Sequence, residues 1–304
     1  MTQPNVPAQR ALFVHAHPDD ESLNNGATMA KYVAEGRGVT LVTCTAGEMG
    51  EVLVPELEHL AADRDDRLGE HRKGEIETAM KILGVTDHRW LGGFGTYRDS
   101  GMQWHADGYA IPADTTHDNA FWNADLLKAA SDLVEIIREV RPQVVVTYND
   151  FGGYGHPDHI QAHRVTHYAV ALAAVPSFRH DLGEAWEVSK VYWCAMSESR
   201  MRAAMRAMRA AGDTESFRGM DPEGPMPWFT PDDDLSAIVD GTAFAEQKMD
   251  AMRAYPTQIK PDDGIFKAAD HSGTALAQEF YRLAAGRRGP LNADGLEDDL
   301  FAGL

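Results

Sequence analysis

The chain has 304 residues, 43% apolar and 25% charged, enough to bury a full core and ordinary for a globular protein that folds in water. A formal net charge of -19 argues against a nucleic-acid partner, because phosphate binding needs a basic face. No apolar run reaches the length of a membrane span, and the start MTQPNVPAQR lacks the apolar stretch of a signal peptide, so no membrane partner is expected.

In chain order, Ala11–Val14 is a short apolar run that predicts a strand, and Ala27–Ala34 follows with helical spacing. Val39–Cys44 predicts a second strand. Cys44 and the distant Cys194 cannot build a disulfide framework, so both are expected as core thiols in a reducing cytoplasm. A charged helix is expected from about Arg64 to Leu83, then a third strand at Trp90–Leu91 ending in Gly92–Gly93. Leu126, Leu127, Ala130, Leu133, Ile136 and Ile137 mark a helical stripe within Ala124–Val140. Val144–Tyr148 is a near-continuous β-branched run, the pattern of a strand buried on both faces. Alternating strands and helices of this kind predict an α/β, Rossmann-like fold, a mostly parallel sheet flanked by helices.

After about Ala174 the pattern loosens. Val188–Cys194 and Leu235–Val239 read as strands, Ser197–Ala211 and Ala243–Ala254 as helices, and Met220–Asp234, rich in Pro and Asp, as a loop. The expected division is a catalytic domain over 1–174 and a smaller C-terminal α/β lobe over 175–304 that completes the substrate pocket. The acidic end, Asn292–Leu304, reads as a mobile tail.

Ligands of an open parallel sheet collect beyond the carboxyl ends of its strands. Two such ends carry dense polar clusters: His15-Ala16-His17-Pro18-Asp19-Asp20-Glu21-Ser22 and Gly153-Tyr154-Gly155-His156-Pro157-Asp158-His159. If these strands lie side by side, the loops share one crevice. Histidine and aspartate donors suit zinc, and a catalytic site takes three protein ligands and leaves a position open. Ferrous iron, cobalt or manganese would accept the same donors. A remaining carboxylate can then take the proton of the attacking water. The bland alternative is that Asp19, Asp20 and Asp158 cap helices. A nucleotide-binding module is disfavoured, because no GxGxxG follows the first strand. His15 is expected to pack behind the site, and His163 and His167 to be ordinary helix-face residues.

HAHPDDES together with GHPDH resembles the PIG-L/LmbE family of metal-dependent de-N-acetylases. The likeness continues through GATMAKYVAEG, VTCTAGEMGEV, the Arg72–Glu75 pair in HRKGE, LGGFGTYRDSGM and VVVTYNDFGGYGHPDH, covering residues 10–170. Beyond that it thins to Tyr255-Pro256-Thr257-Gln258 and Glu279-Phe280-Tyr281. The resemblance implies one divalent ion per chain, zinc or another such as ferrous iron, held by His17, Asp20 and His159. It implies Asp19 as general base, His156 as the group that stabilises the oxyanion with Asp158 holding its ring, and Tyr154 beside the carbonyl. Arg72, Asp99 and Glu51 match substrate-side residues, for a small amino-sugar substrate of the N-acetyl-glucosaminyl-inositol type. From the residues alone, Arg72 could equally pair with Glu75 at i,i+3, and Asp99 could be a turn residue. A rival within the same chemistry is an amidase of mycothiol conjugates, whose first loop carries a lysine where this chain has Ser22-Leu23-Asn24-Asn25-Gly26.

Overall fold

Along the first strand, β1 (Arg10–His15), buried side chains alternate between two cores: Ala11 and Phe13 face one, Leu12 and Val14 the other. That two-residue period places β1 inside a sheet covered on both faces. The computed structural model describes residues 7–261, 264, 266–267 and 276–304; the expectation for the chain start falls partly outside them, at residues 1–6. In chain order the elements continue with α1 (Asp20–Ala34), β2 (Gly38–Thr43), α2 (Leu68–Leu83), β3 (Asp87–Trp90), β4 (Met102–Trp104) and β5 (Ala110–Pro112). They go on through α3 (Leu126–Val140), β6 (Val144–Thr147), α4 (Gly152–Gly155), α5 (Pro157–Ala173), β7 (Lys190–Ala195), α6 (Glu198–Ala210), β8 (Ala237–Asp240), α7 (Ala245–Arg253) and β9 (Gln278–Ala285).

Seven strands form one sheet in the order β3-β2-β1-β6-β7-β9-β8. β1, β2, β3, β6 and β7 are parallel, and β9 runs antiparallel to both its neighbours. The fold is therefore α/β with a mostly parallel central sheet, as the alternating pattern predicts. β7, β8 and β9 continue the sheet begun by the first half of the chain. One face packs Met29 and Tyr32 of α1, Ile76 and Leu83 of α2 and Met252 of α7. The other packs Leu133 and Ile137 of α3 against Val165 and Ala169 of α5. β1 and β6 are neighbours, so the two polar loops do open onto one crevice.

Two expectations are corrected, and one strand has no counterpart among them. Residues 64–67 are not helical; a turn over Ala61–Arg67 precedes α2, which starts at Leu68. β9 carries no clean alternating signal, and its Glu279 is buried because Lys248 Nζ meets it at 2.6 Å. The C-terminal segment is no mobile tail: Leu300 and Phe301 sit in the core, and fully buried Glu297 accepts from Lys190 Nζ at 2.6 Å.

Candidate active site

The loop after β1 turns at Asp19, a non-glycine residue with φ 114°, where an L side chain is strained. Asp19 stands at the N-cap position of α1, yet its side chain makes no cap hydrogen bond. Its Oδ2 accepts from Arg72 at 3.1 Å instead. At α5 the capping side chain is His156, whose Nδ1 accepts from the Asp158 N–H at 3.1 Å. Helix capping therefore accounts for neither Asp19 nor Asp158.

His17, Asp20 and His159 converge. Asp20 Oδ2 lies 3.3 Å from His17 Nδ1 and 3.4 Å from His159 Nε2, and it accepts the His17 backbone N–H at 2.9 Å. Ligand atoms of a tetrahedral site with ~2.0–2.1 Å bonds lie roughly 3.3 Å apart, so the Asp20 oxygen stands at ligand spacing from each ring. The second nitrogen of each ring is also engaged: His159 Nδ1 with the Gly152 carbonyl at 3.1 Å, His17 Nε2 with Asp158 Oδ2 at 3.2 Å. Such outer contacts fix tautomer and orientation in metal sites. His159 Nε2 is buried without a hydrogen-bond partner, as a nitrogen reserved for a metal would be. Among the described residues, two groupings have all their donor atoms within 4.8 Å of one another, His17 with His156 and His159, and His17 with Asp99 and Asp158; His17, Asp20 and His159 together are not such a grouping. The second is already satisfied, because Asp158 accepts from both the Ser100 N–H and hydroxyl, and Asp99 from the N–H groups of Met49 and Gly101. The cluster can hold a metal ion.

The electrostatics follow from burial and crowding. Burial pushes the Asp19 carboxyl up to about 8, with Arg72 opposing. Burial also penalises the Asp20 carboxylate, but His159 and His17 outweigh it and hold the group well below the usual range. Burial and the neighbouring His17 and His159 hold His156 well below an ordinary histidine. His156 is thus neutral with Nδ1 accepting, which leaves the proton on Nε2. The Asp158 carboxylate faces His17 and Ser100, and its backbone N–H meets the His156 ring.

His17, Asp19, Asp20, His156 and His159 line a cavity of about 580 Å³ that Tyr154, Arg72, Asp99 and Glu51 also line. Arg72 does not pair with Glu75, whose carboxylate accepts from the backbone and hydroxyl of Thr257. Its guanidinium donates to the Gly47 and Pro18 carbonyls and to Asp19. Gly47, at φ 66°, has to be glycine: a Cβ there would collide with that guanidinium. His15 packs behind the site on Tyr148 and Asn25, while His163 and His167 bond the Tyr148 carbonyl and Trp193. The sequence reading missed Ser100, Glu21, Trp228, Thr230 and Gln258. Ser100 adjoins Asp99 and was findable there; Trp228 and Thr230 lie in the Pro-rich stretch that reads only as loop.

Residues 12–170, just over half of the chain, match the family described as PIG-L, GlcNAc-PI de-N-acetylase. A relative from Nocardioides sp. is 70% identical over 97% of this chain and 99% of its own length. The chain belongs to the PIG-L family. That Nocardioides relative is named 1D-myo-inositol 2-acetamido-2-deoxy-alpha-D-glucopyranoside deacetylase, as is one from Kribbella flavida, 58% identical over 98% of this chain and 99% of its own. Among solved structures, the N,N'-diacetylchitobiose deacetylase of Pyrococcus horikoshii superposes with a TM-score of 0.59 at 20% identity, over 90% of this chain and 83% of that one. The 4-carboxy-2-hydroxymuconate hydratase of Pseudomonas putida superposes at 0.58 with 16% identity, over 94% and 100%. At such identities the likeness shows the fold alone. Every residue of the PIG-L loops described above lies within the matched span, whereas Trp228, Thr230 and Gln258 lie beyond it.

Proposed function

We propose that this PIG-L protein is a metal-dependent deacetylase that hydrolyses the acetamide of 1D-myo-inositol 2-acetamido-2-deoxy-α-D-glucopyranoside, a step of mycothiol biosynthesis, releasing acetate and the free amine. The relatives' names supply the substrate, and one observation in this chain supports the chemistry: the buried, unpartnered His159 Nε2 beside Asp20 and His17 on the cavity floor. His17, Asp20 and His159 would hold one divalent ion, zinc first and ferrous iron as the alternative. When bound, the ion supplies Lewis acidity, polarising the acetamide carbonyl and making a water at the site acidic near pH 7.

The remaining chemistry belongs to the side chains. Asp19 takes the proton of the attacking water and returns it to nitrogen as the C–N bond breaks, a task suited to a carboxyl raised toward neutrality. His156 donates its Nε2–H to the oxyanion, and Tyr154 stands beside it. Asp158 fixes His17 through its carboxylate and His156 through its N–H. Arg72, Asp99 and Glu51 take the hydroxyl side of the substrate, and residues 175–304 complete the pocket. No described helix is long and apolar enough to cross a membrane, and both thiols are free; the reading places the enzyme in the cytoplasm.

The test is turnover on a small panel. The pseudodisaccharide should be cleaved with kcat/KM at least about tenfold above N-acetylglucosamine, a gap of about 1.4 kcal/mol. Equal rates would show that the inositol is not read, and faster cleavage of a mycothiol conjugate would make the enzyme an amidase.

A further inference from the structure

Three rings run outward from the reactive centre. Tyr154 meets His159 edge-on at 5.3 Å, Trp104 stacks on Tyr154 at 5.8 Å and 26°, and Trp228 leans on Trp104 at 6.2 Å. Trp228 also lines the cavity and lies beyond the matched family span in sequence. Behind it lies the small core of Met201, Met205, Met226 and Phe229, so the ring is backed rather than free to swing. The segment that carries it is tied to α6: Arg202 donates to the carbonyls of Pro222 and Gly224, and Arg206 pairs with Glu223 at 2.6 Å. The arginines of α6 thus hold the loop while its methionines pack beneath the indole.

A six-membered polyol presents C–H bonds on its faces and hydroxyls around its edge. An aromatic face attracts the former, because its π cloud is negative and the C–H hydrogens are slightly positive. Around the same cavity stand the polar groups of Arg72, Asp99, Glu51 and Gln258, which suit the edge.

We propose that Trp228 is the stacking platform of an outer subsite that takes the second ring of the substrate, a polyhydroxylated six-membered ring joined to the acetylated sugar. The assignment of which ring lies outward rests on the acetamide-hydrolase reading; the existence of the subsite does not.

The experiment measures binding, without turnover, by calorimetry on the metal-loaded chain. The probes are glucosaminyl-inositol, which is the amine product, and glucosamine. The intact protein should bind the two-ring amine at least about tenfold tighter, and W228A should erase most of that margin while changing glucosamine affinity less than about twofold. W228F, which keeps a smaller aromatic face, should fall between. Equal weakening toward both probes, an unchanged margin in W228A, or no margin in the intact protein would each overturn the subsite. An intact protein that shows the margin yet leaves the acetylated parent uncleaved would overturn the hydrolase reading and leave the platform standing.

Discussion

Asp19 and Asp20 are adjacent in sequence and opposite in surroundings. Asp20 Oδ2 sits between His17 and His159, whereas Asp19 turns away on strained backbone toward Arg72. Asp20→Ala should therefore lose both bound metal and activity. Asp19→Asn should keep the metal and lose rate by roughly 10²–10⁴, the usual worth of a positioned acid–base group. Elemental analysis and kcat, measured on the same preparations, check both; an empty site in the Asn variant with a filled one in the Ala variant would reverse the roles. His156 Nδ1 accepts a backbone N–H, so its ring faces the cavity as a neutral donor. His156→Ala should lower kcat by about 10²–10³ with metal content intact. Metal loss in that variant would make His156 a ligand instead. Histidines and aspartates clustered at two strand ends were legible from the sequence, because metal chemistry restricts the residue types. Which carboxylate faces which ring was not: Asp158 reaches His17 across 141 positions, a contact that only the packed sheet creates.

The elements that hold these side chains include one strut from far along the chain. The Glu21 carboxylate accepts from the strained Asp19 N–H at 3.0 Å, from Ser22 Oγ at 2.5 Å and from Tyr255 Oη at 2.7 Å. Tyr255 is fully buried just beyond α7, and its neighbour Thr257 bonds Glu75 of α2. The Tyr-Pro-Thr-Gln segment thus clamps α1 and α2 around the strained turn at Asp19. Tyr255→Phe removes one hydroxyl bonded to a carboxylate, so it should cost about 1.5–3 kcal/mol of stability. It should also lower kcat, by less than Asp19→Asn does, while metal content holds. A lowered melting temperature with unchanged kcat would reduce the strut to structure alone. At this scale the parallel strands were readable from β-branched runs such as Val144–Thr147, buried at every position. β9 was not, since its inward Glu279 makes sense only opposite Lys248 and the N–H groups of Ala27 and Thr28.

For the whole molecule, the continuous sheet decides how the chain unfolds. β7 pairs with β6 on one side and with β9 on the other, so strands from both halves share one ladder and two cores. The closing contact is made by the last residues. Lys190 of β7, 1% exposed, donates to Glu297 at 2.6 Å and to the Ala302 carbonyl at 2.7 Å, while Tyr192 donates to the second Glu297 oxygen at 2.7 Å. An acidic sequence ending read as mobile because its charge suggested solvent; the buried lysine that neutralises Glu297 lies 107 positions away. Burying two charges gains little over an apolar pair, but removing one partner strands the other in a dry core. Glu297→Ala should accordingly destabilise the protein by about 3–5 kcal/mol, with Lys190 left uncompensated. The double variant Lys190→Met with Glu297→Leu should recover most of that loss, because no buried charge remains. Calorimetry should show a single transition in all three proteins, displaced downward in the single variant. A separate early transition in Glu297→Ala would mean that the C-terminal strands unfold independently of the strands that carry His17 and His159.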